Sequence, residues 1–403
     1  MSTQPGEGKP QTTGRSVVVF SDDVRGDRDA IAAALQSLRG VTDVSGAADY
    51  LAGADLDAAQ DGQAITFDTL GIAVVALDPE TLTASVASAP GDGGAIVAVE
   101  PERIMHAIGV DVPGDAAQFA DDDDFTWGLR ATETDSSSAT GRGVRVAVLD
   151  TGLDLDHPDF AGRSIMSQSF IAGVPSANDG HGHGTHCIGT SCGPADPPQG
   201  RRYGIASEAE IFAGKVLSDQ GSGADAQILA GIEWAITNGC HIISMSLGAD
   251  VEQVSPAYEA VGRRALAAGT LIVAAAGNNA ARQLRDPGFV GVPANSPSIM
   301  AVAAVDANLQ IADFSAAANP VEGGEINIAG PGVAVFSAWP LPQRNNTISG
   351  TSMATPHVAG IAALLSQATG ATAQALWDAL VEGARKLDLP QTDAGAGLVQ
   401  APA

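Results

Sequence analysis

With 403 residues, 45% of them hydrophobic, the chain can hold one large domain plus a small one, and its apolar content excludes global disorder. Its 47 acidic residues against 20 basic ones give a net charge of −27, which argues against nucleic acid or an anionic membrane as a partner. The excess fits either a solubilising surface encoded by a GC-rich genome or adaptation to high salt, where repulsion among carboxylates is screened. No apolar run reaches the roughly 20 residues of a membrane span. The first residues, MSTQPGEGKPQTTGR, lack the apolar core of a secretory signal. The expected location is therefore cytoplasmic if that N-terminus is native, and secreted if a signal was removed. Cys187, Cys192 and Cys240 are odd in number and lie at no metal-ligand spacing. Three reduced, partly buried thiols are expected, with one disulfide and a free thiol as the alternative.

In chain order, residues 1–14 are polar and read as a disordered tail. SVVVF (16–20) reads as a strand, and 28–38, with Ile31, Ala34, Leu35 and Leu38 at helical spacing, as an amphipathic helix. A strand follows near 41–44, one or two more within 65–77, a capped helix over 78–89 and a strand over 95–103. This alternation predicts a small α+β module over 15–108. Residues 109–126 include the run 121–124, four adjacent aspartates that resist packing, and read as an acidic linker. From about 127 the pattern changes. The continuous apolar strands VRVAVLD, EIFAGKVL, HIISMSL, TLIVAAAG, SIMAVAAV and INIAG alternate with helices over 225–238, 258–268 and 352–368. That pattern predicts a mainly parallel sheet covered on both faces.

Four local signals carry chemistry. Asp150 falls at the carboxyl end of a strand, where sites of open α/β sheets lie, though an aspartate there is often only a turn residue. GRGVRV before that strand lacks glycines opening a helix and is no dinucleotide loop. DGHGHGTHCIGT holds His181, His183 and His186. Without helical i, i+4 pairing and a HExxH glutamate, a general base at a helix start is preferred to zinc. Ser352, in GTSMATPHVAG, stands at the mouth of an apolar helix, where a plain N-cap is the bland alternative. Asn278, just past the strand of VAAAGNN, is either a turn residue or an amide donor to an oxyanion.

Together VAVLDTGLDLDHPDF, HGTHCIGT, GSGA, SMSLG, AAAGNN and GTSMATPHVAG resemble the signature blocks of the subtilisin-like serine proteases, in that family's order Asp, His, Asn, Ser. The resemblance covers 127–403 and looks closer to the proteinase K branch than to the bacillary subtilisins. It implies a subtilisin-like three-layer α/β domain preceded by a ferredoxin-like propeptide, the linker holding the processing site. It also implies a serine endopeptidase working through Asp150, His183 and Ser352, with Asn278 and the Ser352 N–H as oxyanion hole. Gly221, Ser222 and Gly223, with Ser246, Leu247 and Gly248, would clamp an extended peptide. Ala275, Ala276 and Gly277 would line the pocket for the side chain before the cut, with a broad apolar preference. Partners would be protein or peptide substrates and the chain's own propeptide, acting as inhibitor of a monomer.

Catalysis would need no cofactor and no metal. The family's calcium loop is replaced by SCGPADPPQGRRYG, which leaves Asp159 and Asp306 as weak calcium candidates. Cys187 reads as a small core residue or a mercurial-sensitive thiol, not as the nucleophile. Two other readings use the same site: a catalytically idle peptide-binding protein, and a peptide ligase or macrocyclase.

Overall fold

The computed structural model describes residues 10–47, 61–88, 94–109, 118–319 and 323–403. The chain begins with β1 (Thr12–Phe20), α1 (Arg28–Gln36), β2 (Asp43–Gly46), β3 (Gln63–Phe67), β4 (Ile72–Val75), α2 (Pro79–Ser88) and β5 (Ile96–Ala107). The sheet order β5-β1-β4-β3 is antiparallel throughout, and β2 adds a parallel strand at the β3 edge. With two helices on one face, this is the ferredoxin-like arrangement expected. Asp27 starts α1 by accepting the Ala30 N–H at 3.0 Å, and Ile31 and Leu35 are its buried stripe. β1 begins at Thr12, paired to Arg103, so the expected tail is shorter than 1–14; residues 1–9 lie outside the described residues.

Strand periodicity divides the module's sheet into two apolar faces. Val18, Phe20, Ala64, Ala73 and Val75 pack with Ile31, Leu35 and Leu82 under the module's own helices. Val17, Val19, Ile65, Phe67, Ile72 and Val74 instead join a core with residues of two later helices. Those helices are α5 and α6, defined below. One face of the module is thus finished only by the domain that follows.

That domain opens with α3 (Trp127–Ala131), β6 (Arg145–Asp150), β7 (Ile165–Ser169), α4 (His183–Cys192), β8 (Glu210–Lys215) and β9 (Ser222–Ala224). It continues with α5 (Asp225–Thr237), β10 (Ile242–Met245), β11 (Leu247–Gly248), α6 (Pro256–Ala267) and β12 (Leu271–Ala275). β13 (Met300–Val305), β14 (Ile328–Pro331), the hairpin β15 (Val335–Ala338) and β16 (Asn345–Ile348), and α7 (Thr351–Thr369) complete it, before α8 (Ala373–Gly383). The central sheet, β14-β13-β12-β10-β6-β8-β7, is parallel at every pairing. Apart from the edge strand β7, its strands are buried at nearly every residue because α4 and α7 cover one face and α5 and α6 the other. This is the three-layer α/β architecture expected.

Two expectations need correction. The strand expected over 95–103 runs on to Ala107, because its last residues pair outside the module. In the run 121–124, Asp123 and Asp124 are exposed, but the first two aspartates are tied down. Asp121 accepts the Trp127 N–H at 2.8 Å and pairs with Arg201, while Asp122 accepts the Phe125 N–H at 2.7 Å and pairs with Arg130. Two arginines and free backbone donors absorb the charge. Residues 110–117 of the expected linker lie outside the described residues. All three cysteines are free thiols and fully buried. Among the described residues no helix is long and apolar enough to cross a membrane.

Candidate active site

β6 ends on Asp150, which is fully buried at the carboxyl edge of the sheet. Its carboxylate oxygens lie 2.8 and 3.0 Å from His183 Nδ1, and Oδ1 also accepts the Thr151 N–H at 2.7 Å. His183 is the first residue of α4. The approach is close: a Cβ on Gly184 would meet the Gly152 carbonyl oxygen at 2.3 Å, so glycine is required after the histidine. Burial pushes the His183 imidazole down, but the Asp150 carboxylate outweighs this and holds it well above the ordinary value. Its Nδ1–H faces the carboxylate, which leaves Nε2 able to accept a proton; that atom is buried and has no hydrogen-bond partner.

Ser352 is the second residue of α7, in the turn whose backbone N–H groups lack intrahelical acceptors. Its hydroxyl donates to the Ser246 carbonyl at 3.0 Å, and its own carbonyl accepts the Ser246 hydroxyl at 2.8 Å. Cys187 bridges the two chemical elements: Sγ lies 3.9 Å from His183 Nδ1 and 3.6 Å from the Ser352 carbonyl oxygen. Burial raises its thiol above the ordinary value, and it is no nucleophile. Asn278 Oδ1 accepts both the N–H and the hydroxyl of Thr351, at 3.0 and 2.8 Å. That fixes the amide so that Nδ2 points away from the helix, where it is buried and unpartnered.

The remaining expected residues form the groove leading here. β9 and β11 are bound on either side of one extended segment, the end of β5. Ile104 pairs with Ala224, Met105 with Gly223 and His106 with Ser222 on one flank; Ala107 pairs with Leu247 and His106 with Gly248 on the other. The Ala107 N–H donates to the Gly221 carbonyl at 2.9 Å. Ile108 follows, its Cδ1 3.1 Å from where a Cβ on Gly248 would lie. A Cβ on Gly350 would be 2.8 Å from the Ile108 carbonyl oxygen and 3.1 Å from Asn278 Nδ2. The Ile108 carbonyl oxygen and the unpartnered amide thus both lie close to Gly350, and Gly109 lies near His183. Ala275, Ala276 and Gly277 are buried just ahead of Asn278, where β12 ends.

Some residues that hold this geometry escaped sequence reading. Asp179 accepts the Gly182 and Thr185 N–H groups, both at 2.8 Å, and so fixes the start of α4. The only hint was an acidic residue just ahead of a glycine-flanked helix start. Lys215, buried on β8, donates to the Thr151 carbonyl and to Asp219, securing the residue after Asp150. Of the other histidines, His186 is held neutral, its value pushed by burial to about 3, and binds the Val335 carbonyl at 3.0 Å. Asp150, His183 and Cys187 are the one metal-compatible cluster among the described residues, and they are the centre just described, not a separate site.

The carboxylates offered as calcium ligands do not fit that role. Asp159 accepts the Tyr203 hydroxyl at Oδ2 (2.5 Å) and Arg344 Nη2 at Oδ1 (2.6 Å), so a guanidinium already neutralises it. Asp306 accepts the Asn308 and Gln310 N–H groups within its own turn.

A three-layer α/β domain with an aspartate–histidine pair at the carboxyl edge of its parallel sheet, beside a strand-lined groove, is the arrangement of the subtilisin-like class. The family model described as Subtilase family matches residues 141–398, and the chain belongs to that family. It is 44% identical over 242 residues to a thermostable alkaline protease of Halalkalibacterium halodurans, covering 59% of this chain and 62% of that protein. It is 41% identical over 244 residues to M-protease of Shouchella clausii, 60% of this chain and 59% of the relative. Identity is also 41% over 244 residues to subtilisin Savinase of Lederbergia lenta, 60% of this chain and 84% of the relative. The chain thus spans less than two thirds of the first two relatives.

Proposed function

We propose that the chain is a serine endopeptidase made as a self-processing zymogen, and that its first cut falls between Ile108 and Gly109. The observation that carries this reading is the seat of β5. It lies as a third strand between β9 and β11 and brings the Ile108 carbonyl to Gly350, which Asn278 Nδ2 also approaches, and Gly109 near His183. An extended substrate would take the same place.

In that reaction the Ser352 hydroxyl turns from the Ser246 carbonyl to His183 Nε2, gives up its proton there and attacks the scissile carbonyl carbon. The developing oxyanion is met by Asn278 Nδ2 and the Ser352 N–H. Asp150 keeps the imidazole in the tautomer that accepts at Nε2 and stabilises the imidazolium. The C–N bond breaks as His183 passes the proton to the leaving amine, leaving an acyl-serine. Water, deprotonated by His183, attacks the ester; the serine leaves with the returned proton and the carboxylic acid is released. The cut module stays seated as a product-like inhibitor until it dissociates. Small, buried Ala275, Ala276 and Gly277 support the broad apolar preference, and Cys187 directly after HGTH supports a place near the proteinase K branch.

The test is cleavage of casein and a chromogenic peptide with and without phenylmethylsulfonyl fluoride, beside Ser352→Ala. The wild type should show inhibitor-sensitive cleavage and a new N-terminus at Gly109, while the variant keeps its full mass. An active wild type of unchanged mass would rule out self-processing. Absence of inhibitor-sensitive cleavage after the module is trimmed away would rule out the protease.

A further inference from the structure

The groove's hydrogen bonding does not stop where β9 stops. Its last backbone pair is Ile104 with Ala224, and the next residue, Asp225, continues the grip with its side chain. The Arg103 N–H donates to Asp225 Oδ2 at 2.7 Å. That contact is to the backbone, so any extended peptide in the groove brings an N–H to this carboxylate. The side chain carried by that residue then emerges beside it. Here it is a guanidinium: Arg103 Nη1 stands 4.0 Å from Asp225 Oδ2, buried and with no hydrogen-bond partner of its own.

Ownership of the charges decides what this means. Arg103 Nη2 is taken at 2.7 Å by Glu100, a residue of the module, and the other facing carboxylate, Glu102, is also the module's. Both leave with it. Asp225 belongs to α5 of the catalytic domain, and the Tyr258 hydroxyl of α6, donating to Oδ1 at 2.8 Å, keeps Oδ2 turned toward the groove. A fixed carboxylate only 1% exposed when the groove is filled is costly without a cation and gains from one.

We propose that Asp225 is a specificity residue that selects substrates with arginine or lysine at the sixth residue before the cut bond. The count rests on the reading that Ile108–Gly109 is the cut bond. The ligand class is a basic, extended peptide, long enough to reach past the strand clamp.

Enzyme matured from the full chain is assayed on quenched peptides carrying Arg-Ile-Met-His-Ala-Ile-Gly and the same sequence with glutamine or glutamate in place of arginine. We expect kcat/KM to fall on the order of tenfold from arginine to glutamine, and further for glutamate, with the difference shrinking in molar KCl. Asp225→Asn and Asp225→Ser should bring the arginine-to-glutamine ratio close to one. Equal rates for the three peptides in the wild type, all cut at Ile-Gly, overturn the role of Asp225, as does an unchanged ratio in the variants. Cutting at another bond, identified by mass, overturns the register instead. Cleavage of none of them, casein included, removes the protease reading beneath both.

Discussion

The catalytic centre and the surface that receives the N-terminal module treat buried carboxylates in opposite ways. Around the centre each one is answered from within its own domain: Asp150 by His183 and Thr151, Asp159 by Tyr203 and Arg344, Asp179 by the start of α4. At the module surface each carboxylate also has a partner across the divide. Glu100 accepts the Ser255 hydroxyl and the Ala257 N–H at the start of α6, and Glu102 accepts the Ala226 N–H at the start of α5. In the other direction Asp225 accepts from Arg103, and Glu233 accepts the Thr69 N–H at 2.9 Å. The first region keeps its electrostatics whatever the module does. The second must resolvate four carboxylates when the module leaves, which makes docking conditional.

If the centre is self-contained, damage there should remove chemistry without undocking the module. Ser352→Ala is expected to lower kcat by roughly 10⁶-fold, as loss of a triad nucleophile does. The chain should stay uncut, with the backbone amides of residues 104–107 protected in hydrogen exchange. Asn278→Ala should lower kcat by about 10²- to 10³-fold with little change in KM, because its Nδ2 meets charge only in the transition state. Loss of module docking in either variant would show that the two regions are coupled after all.

Arg344→Gln tests the same self-containment at Asp159, with an effect on stability instead of rate. Removing the guanidinium leaves a buried carboxylate with only the Tyr203 hydroxyl, at a cost of about 3 kcal/mol in denaturant unfolding. The melting transition of the catalytic domain should fall while kcat of the enzyme that remains folded stays close to wild type. An unchanged transition would mean that Asp159 is not held as a charge by this partner.

Much of the first region was legible because its signals are local. Strand ends, glycine-flanked helix starts and an apolar helix after GTS place Asp150, His183 and Ser352 within a residue or two of their element boundaries. The second region was not. Nothing within RIMHAIG says that the strand continues to Ala107, since its partners are β9 and β11, more than a hundred residues away. The packing of Asp121 and Asp122 depends on Arg201 and Arg130, which no charge-run rule can supply. Asp225 reads in the sequence only as the acidic first residue of a helix, and its second role exists only once β5 is seated.

The smallest expected effect per side chain is also the one that reads the second region most directly. Burial, reinforced by Glu102 and opposed by Arg103 and the Tyr258 hydroxyl, pushes Asp225 up to about 7 in the docked state. Burial also pushes Glu233 up to about 7, with Asp68 reinforcing it, the Thr69 hydrogen bond opposing, and Arg28 lining the same cleft. Once exposed, both side chains return toward the ordinary carboxylate value near 4. Below that value they are protonated whether docked or free, and docking is strongest. Between about 4 and 7 the docked state holds protons that the free state has lost, so affinity falls as pH rises. Above about 7 it levels off at its weakest. Opening of the β5 segment in full-length Ser352→Ala, followed by hydrogen exchange corrected for intrinsic rates, should therefore become more favourable by up to about a hundredfold for each of the two carboxylates between pH 5 and pH 8. Glu233→Gln should shallow that slope, because an amide buried there carries no proton to lose. A flat profile in Ser352→Ala would mean that the carboxylates at the module surface are as self-contained as those around the triad.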